Sequence, residues 1–175
     1  TVLLPCNAHL SATNACVVGD LQPVYMPQTF TADGYGYVAE ETILAALAAH
    51  PEAKCLLVTR PDFYGCLTSL KRIAEKAHAQ GCRLVVDEAH GAHLPWMTGL
   101  ESAGALGADA WVQSCHKTLP SLTGTAVLHL RNGADRERAM TLLRLTQTSS
   151  PSFVLMMSMD DGRAWMEAYG RERLT

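Results

Sequence analysis

Residues 110–124 read AWVQSCHKTLPSLTG. The apolar run at the start has the character of a strand end, and it stops at a segment carrying Ser114, His116 and Lys117. Residues 83–93, RLVVDEAHGAH, have the same form: a β-branched run ending on Asp87, then Glu88, Ala89, His90 and His93. Four further runs of strand length lie at 1–4, 23–26, 53–59 and 125–130, so six short strands are expected. Segments of helical period separate them at 9–18, 40–49, 67–80, 99–106 and 135–145. In the second of these Ile43, Leu44 and Leu47 share one face, and Gly81 stops the third. This alternation predicts an α/β fold of three layers, a mostly parallel sheet with helices on both faces and right-handed crossovers. Open sheets of this kind bind ligands beyond the carboxyl ends of their strands. The polar residues that follow the strands, among them His9, Asp62, Tyr64, Asp87, His90, Ser114, His116 and Lys117, are therefore expected to converge on one edge.

Composition narrows the function classes. The 175 residues suit one domain with a real core, and 48% hydrophobic with 18% charged residues is ordinary globular usage. A net charge of −3 and a pI near 6.1, without a run of Lys or Arg, argue against nucleic acid as a partner. No apolar run approaches the roughly 20 residues that cross a bilayer, so no membrane partner is expected and a cytoplasmic location is the default. Six cysteines without a CxxC pair read as free thiols. No repeat or linker divides the chain.

Three chemistries compete for the two strand ends. Asp87, Glu88, His90 and His93 are potential metal ligands, but the spacing is not HExxH and the run begins on a strand. Asp87-Glu88-Ala89-His90 also spells the acidic box of certain ATPases, yet no GxxxxGK[ST] loop accompanies it. The third chemistry uses Lys117 as well. A lysine forms a Schiff base with an aldehyde cofactor, and pyridoxal 5'-phosphate additionally needs a carboxylate to keep its ring nitrogen protonated, which Asp87 supplies. Ser114 and Thr118 are hydroxyls placed to help hold a phosphate.

The runs DEAHGAH (87–93), GADAWVQSCHKTLPSLTG (107–124) and QTSSPSF (147–153), with SxHKTLP the most specific part, resemble the large domain of the pyridoxal-phosphate-dependent ornithine/lysine/arginine decarboxylase family. Residues 6–11, CNAHLS, are similar to its RNxHKS segment, so the likeness covers nearly the whole chain. The resemblance implies fold type I, a seven-stranded mostly parallel sheet whose penultimate strand leads into the lysine. It further implies that 125–130 runs antiparallel and borders the place of a first strand lying before Thr1. A phosphate-binding loop ahead of residue 1 and a small domain after residue 175 are implied too, so residues 1–175 would be a partial large domain, incomplete for activity by itself.

By the same resemblance Lys117 is the Schiff-base lysine and Asp87 pairs with the pyridine nitrogen. His9 stacks on the ring, Ala89 and His90 line its other side, and Ser114 and His116 approach the phosphate or the substrate. Lys117, His116 and His9 are thus the implied catalytic set. The implied activity is decarboxylation of arginine, lysine or ornithine to an amine and CO2, by a homodimer or higher homo-oligomer in which 149–151 reaches a neighbouring site. Another fold type I activity (aminotransferase or lyase) and a catalytically incomplete regulatory or assembly domain are the alternatives. Two departures bear on the site: Cys6 and Leu10 replace basic residues beside the stacking histidine, and Arg60-Pro61-Asp62-Phe63-Tyr64 stands where the family has Asn-Pro-Thr-Tyr.

Overall fold

The computed structural model describes residues 1–131 and 135–174. Strand β1 (Val2–Pro5) leads through helix α1 (Leu10–Val18) to β2 (Pro23–Met26). A small antiparallel hairpin, β3 (Thr29–Phe30) with β4 (Gly36–Tyr37), precedes α2 (Glu40–Ala49). Then follow β5 (Cys55–Thr59), α3 (Lys71–Ala79), β6 (Arg83–Asp87), β7 (Ala110–Gln113), the one-turn α4 (Cys115–Thr118) and β8 (Val127–Leu130). Helices α5 (Arg136–Thr146) and α6 (Phe153–Trp165) follow, the latter running on through a π-helical turn at Met166–Gly170 into a last α-helical turn at Arg171–Arg173. The main sheet has the order β2-β1-β5-β6-β7-β8. Its first five strands are parallel, and β8 pairs antiparallel with β7 at one edge, as expected for 125–130.

Side-chain alternation builds the core. Leu3, Leu56, Val58, Leu84 and Val86 project to one face of the sheet and pack with Ile43 and Leu47 of α2 and with Ile73, Ala74 and Ala77 of α3. The residues between them, Cys55, Leu57, Val85 and Val112, are half-buried on the other face. There α1 contributes one buried side chain, Cys16. Burial, with the Cys82 and Cys16 thiols nearby, pushes Cys55 up to about 11. Helices thus lie on both faces, but one face is covered far more thinly. All six cysteines are free.

Three expectations need correction. Residues 99–106 form turns instead of a helix. Gly99 adopts φ 78°, which a helix excludes, and Gly104 packs beneath the Trp111 ring. Helix α3 starts at Lys71 and not at 67, because Leu67–Leu70 is drawn into the loop after β5, where Leu70 is buried in the core. Helix α6 was not anticipated: its Met-rich sequence, FVLMMSM, lacks the polar alternation that marks a surface helix. The Trp111 contact yields a prediction. A Cβ on residue 104 would sit 2.4 Å from the ring, so Gly104→Ala should lower stability by about 1–3 kcal/mol through overpacking, measured by denaturant titration.

Candidate active site

The carboxyl ends of β1, β5, β6 and β7 open on one cavity of about 430 Å³. Asn7 and His9 come from the turn after β1 and Ser11 from the first turn of α1; Thr59 ends β5 and Phe63 lies in the loop after it; Asp87 ends β6, with Ala89 and His90 just beyond; and Val112, Ser114 and Lys117 come from β7, the residue after it and α4. The register explains the convergence, since Thr59 pairs with Asp87 and Asp87 with Val112 across neighbouring parallel strands. Parallel strands end together, and their last side chains therefore meet.

Each side chain has a local reason for its place. His9 is the N-cap of α1, its Nδ1 accepting from the Ser11 backbone N–H at 3.2 Å. Asp87 Oδ1 accepts from the Ala89 N–H at 3.1 Å, which turns the chain away from the strand while the carboxylate stays at the cavity. Ser114 is the N-cap of the short turn that presents Lys117. Lys117 Nζ lies 3.2 Å from His90 Nε2. Burial, and then the Lys117 cation, hold the His90 ring below the usual imidazole range, so the neutral ring accepts a hydrogen bond from the lysine at Nε2. The Thr59 hydroxyl is buried with no hydrogen-bond partner among the described residues.

Of the expected residues, Lys117, Asp87, His9, His90, Ala89 and Ser114 surround this cavity. His116 does not line it. Its Nδ1 donates to the Thr125 carbonyl at 2.9 Å, tying the lysine turn to the start of β8. Tyr64 lies outside as well, and Phe63 takes that position, 6.2 Å edge-on from the His90 ring. The departures at Arg60 and Asp62 are explained by packing. Both are buried, Arg60 donating to the carbonyls of Thr68 and Glu101, and Asp62 accepting from the N–H groups of Tyr64 and Cys66. Neither side chain lines the cavity.

The candidate metal ligands at 87–93 are divided among environments. Asp87 and His90 face the cavity, while Glu88 is fully buried and bound to Ala103 and Gln113. Among the described residues no group of three or more His, Cys, Asp or Glu side chains is placed to hold a metal ion. Among the described residues no helix is long and apolar enough to cross a membrane. Thr59 and Phe63 were not anticipated. The strand-end rule that singled out Asp87 applies equally to Thr59, whereas nothing in the sequence separates Phe63 from its neighbour Tyr64.

Comparison with known proteins agrees with this geometry. Residues 1–175 match the Orn/Lys/Arg decarboxylase major domain. An arginine decarboxylase of Halalkalibacterium halodurans is 35% identical over 175 residues, covering 98% of this chain and 36% of that protein. An uncharacterized protein of Bacillus subtilis is 38% identical over 175 residues, covering 95% of this chain and again 36% of the relative. The chain therefore spans about a third of the length of these relatives. Among solved structures, the lysine decarboxylase LdcF of Francisella novicida superposes with a TM-score of 0.77 at 20% identity, covering 98% of this chain and 26% of that one. At that identity the likeness bears on fold alone. A mostly parallel sheet of this order and a match along the whole chain lead to one conclusion: the protein belongs to the Orn/Lys/Arg decarboxylase family, whose major domain residues 1–175 match.

Proposed function

We propose that the whole protein decarboxylates a basic amino acid, arginine, lysine or ornithine, with pyridoxal 5'-phosphate held in this cavity. One observation carries the reading: an amine and a carboxylate, Lys117 and Asp87, stand at neighbouring strand ends and line one cavity in a member of this family. The residues fit the cofactor. An aldehyde needs an amine and a pyridine nitrogen needs a carboxylate, while Thr59 offers an uncommitted buried hydroxyl and Ser114 a second hydroxyl.

When bound, pyridoxal phosphate joins its aldehyde to an amine and draws off the electron pair left on the α-carbon as CO2 departs. Lys117 would supply the amine that holds the aldehyde. Asp87 would hold a proton at the ring nitrogen, without whose positive charge the ring is a far weaker electron sink. His90, kept neutral by burial and by Lys117, accepts a hydrogen bond from Lys117 Nζ at Nε2 and so holds the lysine nitrogen on the cavity side. His9 and Ala89, which line the cavity, would bound the ring, and the Ser114 hydroxyl would be available to the phosphate. His116 acts through the backbone, fixing the Lys117 turn to Thr125.

We further read the protein as a cytoplasmic homo-oligomer. Val17 and Val18 on α1, and Phe153 and Met157 on α6, are more than half exposed, and side chains of this kind bury best against more protein.

Two substitutions in the full-length protein test the reading. Lys117→Ala should abolish both decarboxylation and the visible absorbance of lysine-linked cofactor. Asp87→Asn should retain that absorbance and lose several kcal/mol of barrier lowering, where about 1.4 kcal/mol is tenfold in rate. A Lys117→Ala protein that decarboxylates basic amino acids at the original rate would exclude the mechanism. Cofactor bound without any turnover on the three amino acids would favour another activity of this fold.

A further inference from the structure

Glu88 is fully buried, directly beside Asp87, and plays no part in the chemistry above. Its Oε1 accepts from the Ala103 backbone N–H at 2.6 Å, and its Oε2 from Gln113 Nε2 at 2.7 Å. The Arg60 guanidinium, itself buried at the end of β5, lies 3.7 Å from Oε1. Gln113 is engaged at both ends, since its Oε1 accepts from His129 Nε2 at 2.9 Å. The His129 ring stacks on Trp111, 4.8 Å between centroids and 5° from parallel. The amide of Gln113 thus has one orientation, set from β6 on one side and β8 on the other.

The loop after β6 is shaped around the same carboxylate. A Cβ on Gly91 would stand 2.6 Å from Glu88 Cγ and 2.7 Å from Pro61 Cδ, so the chain closes over Glu88 only with glycine there. Glu88 is the residue after Asp87, and Gln113 the residue before Ser114. Their hydrogen bond therefore joins, from below, the two strand ends that carry the cavity's carboxylate and its amine. The Lys117–His90 contact spans the same two ends from above.

We propose that Glu88 and Gln113 are positioning residues, whose buried hydrogen bond extends the backbone pairing of β6 and β7 with a side-chain tie and so fixes the segment bearing Asp87 and His90 against the segment bearing Lys117. The backbone ladder ties the two strands as far as the Glu88 N–H, which donates to the Val112 carbonyl at 2.9 Å; beyond that last bond, a hydrogen bond between two side chains each held elsewhere resists shifts of fractions of an ångström in the residues that follow. The inference rests on the reading that this cavity holds pyridoxal phosphate.

The test uses the full-length protein with bound cofactor. Gln113→Leu should lower kcat by about 100-fold with KM little changed, and should alter the visible circular dichroism of the bound cofactor, which reports its orientation. Glu88→Gln keeps the shape and the bond from the Ala103 N–H, and it regains the bond to Gln113 when that amide turns over and His129 takes the tautomer whose Nε2 accepts, so it should retain more kcat than Glu88→Ala. Unchanged kcat and unchanged visible dichroism in Gln113→Leu would overturn the proposal. If Gln113→Leu does not fold, Gln113→Asn, whose amide is one methylene short, is read in the same way; if neither folds, equal kcat in Glu88→Gln and Glu88→Ala overturns it. An unsubstituted protein that binds no cofactor overturns the proposed function instead, which separates the two failures.

Discussion

Side chains alternate along a strand, and at the end of β6 that rule divides two adjacent acids between opposite environments. Asp87 faces the cavity, and Glu88 turns into the interior, where burial pushes its carboxyl up and Arg60, Ala103 and Gln113 surround it. Neither placement is free to change without the other, because a shift of one residue would bury Asp87 and strand Glu88 at the cavity wall. A buried carboxylate without donors is costly, so the register of the whole strand end is held by Glu88's partners. The cavity inherits that order. Asp87, Ala89 and His90 stand where they do because the residue among them that faces inward has one position.

The same reasoning shows what the sequence made legible. Six strands were readable because each is a compact apolar run between polar punctuation, and in a parallel sheet covered by helices such runs have few alternatives. All six form, with ends moved by up to two residues. Helix boundaries were harder. The segment at 99–106 has helical composition, but Gly99 and Gly104 serve a turn and a close packing against Trp111, and a residue spacing does not reveal a neighbour brought in by tertiary structure. Helix α6 was hidden by its own apolarity, and the β3–β4 hairpin by having strands of two residues each.

For the site, Asp87, Ala89, His90, Ser114 and Lys117 were readable from the strand-end rule combined with the likeness of SxHKTLP and DEAHGAH to a known family. His116 shows the limit of such motifs. It lies beside the lysine in sequence, yet a one-turn helix sends adjacent side chains in different directions, and its ring is bound to the Thr125 carbonyl. Gln113 was passed over for the converse reason, and Arg60 was noted only as a departure from the family's Asn-Pro-Thr-Tyr. A glutamine inside a strand and an arginine after one look like solvent-facing residues until the structure shows both of them buried around Glu88.

The central claim is that Lys117 is the residue that carries the cofactor's aldehyde, and the most direct measurement locates that bond. The full-length protein, saturated with pyridoxal phosphate and reduced with borohydride, would be digested and its peptides mapped by mass spectrometry. The account predicts the reduced cofactor on Lys117, in the peptide that contains Cys115 and His116, and on no other lysine of this segment. Label on Lys54, Lys71 or Lys76, or none at all, would contradict it.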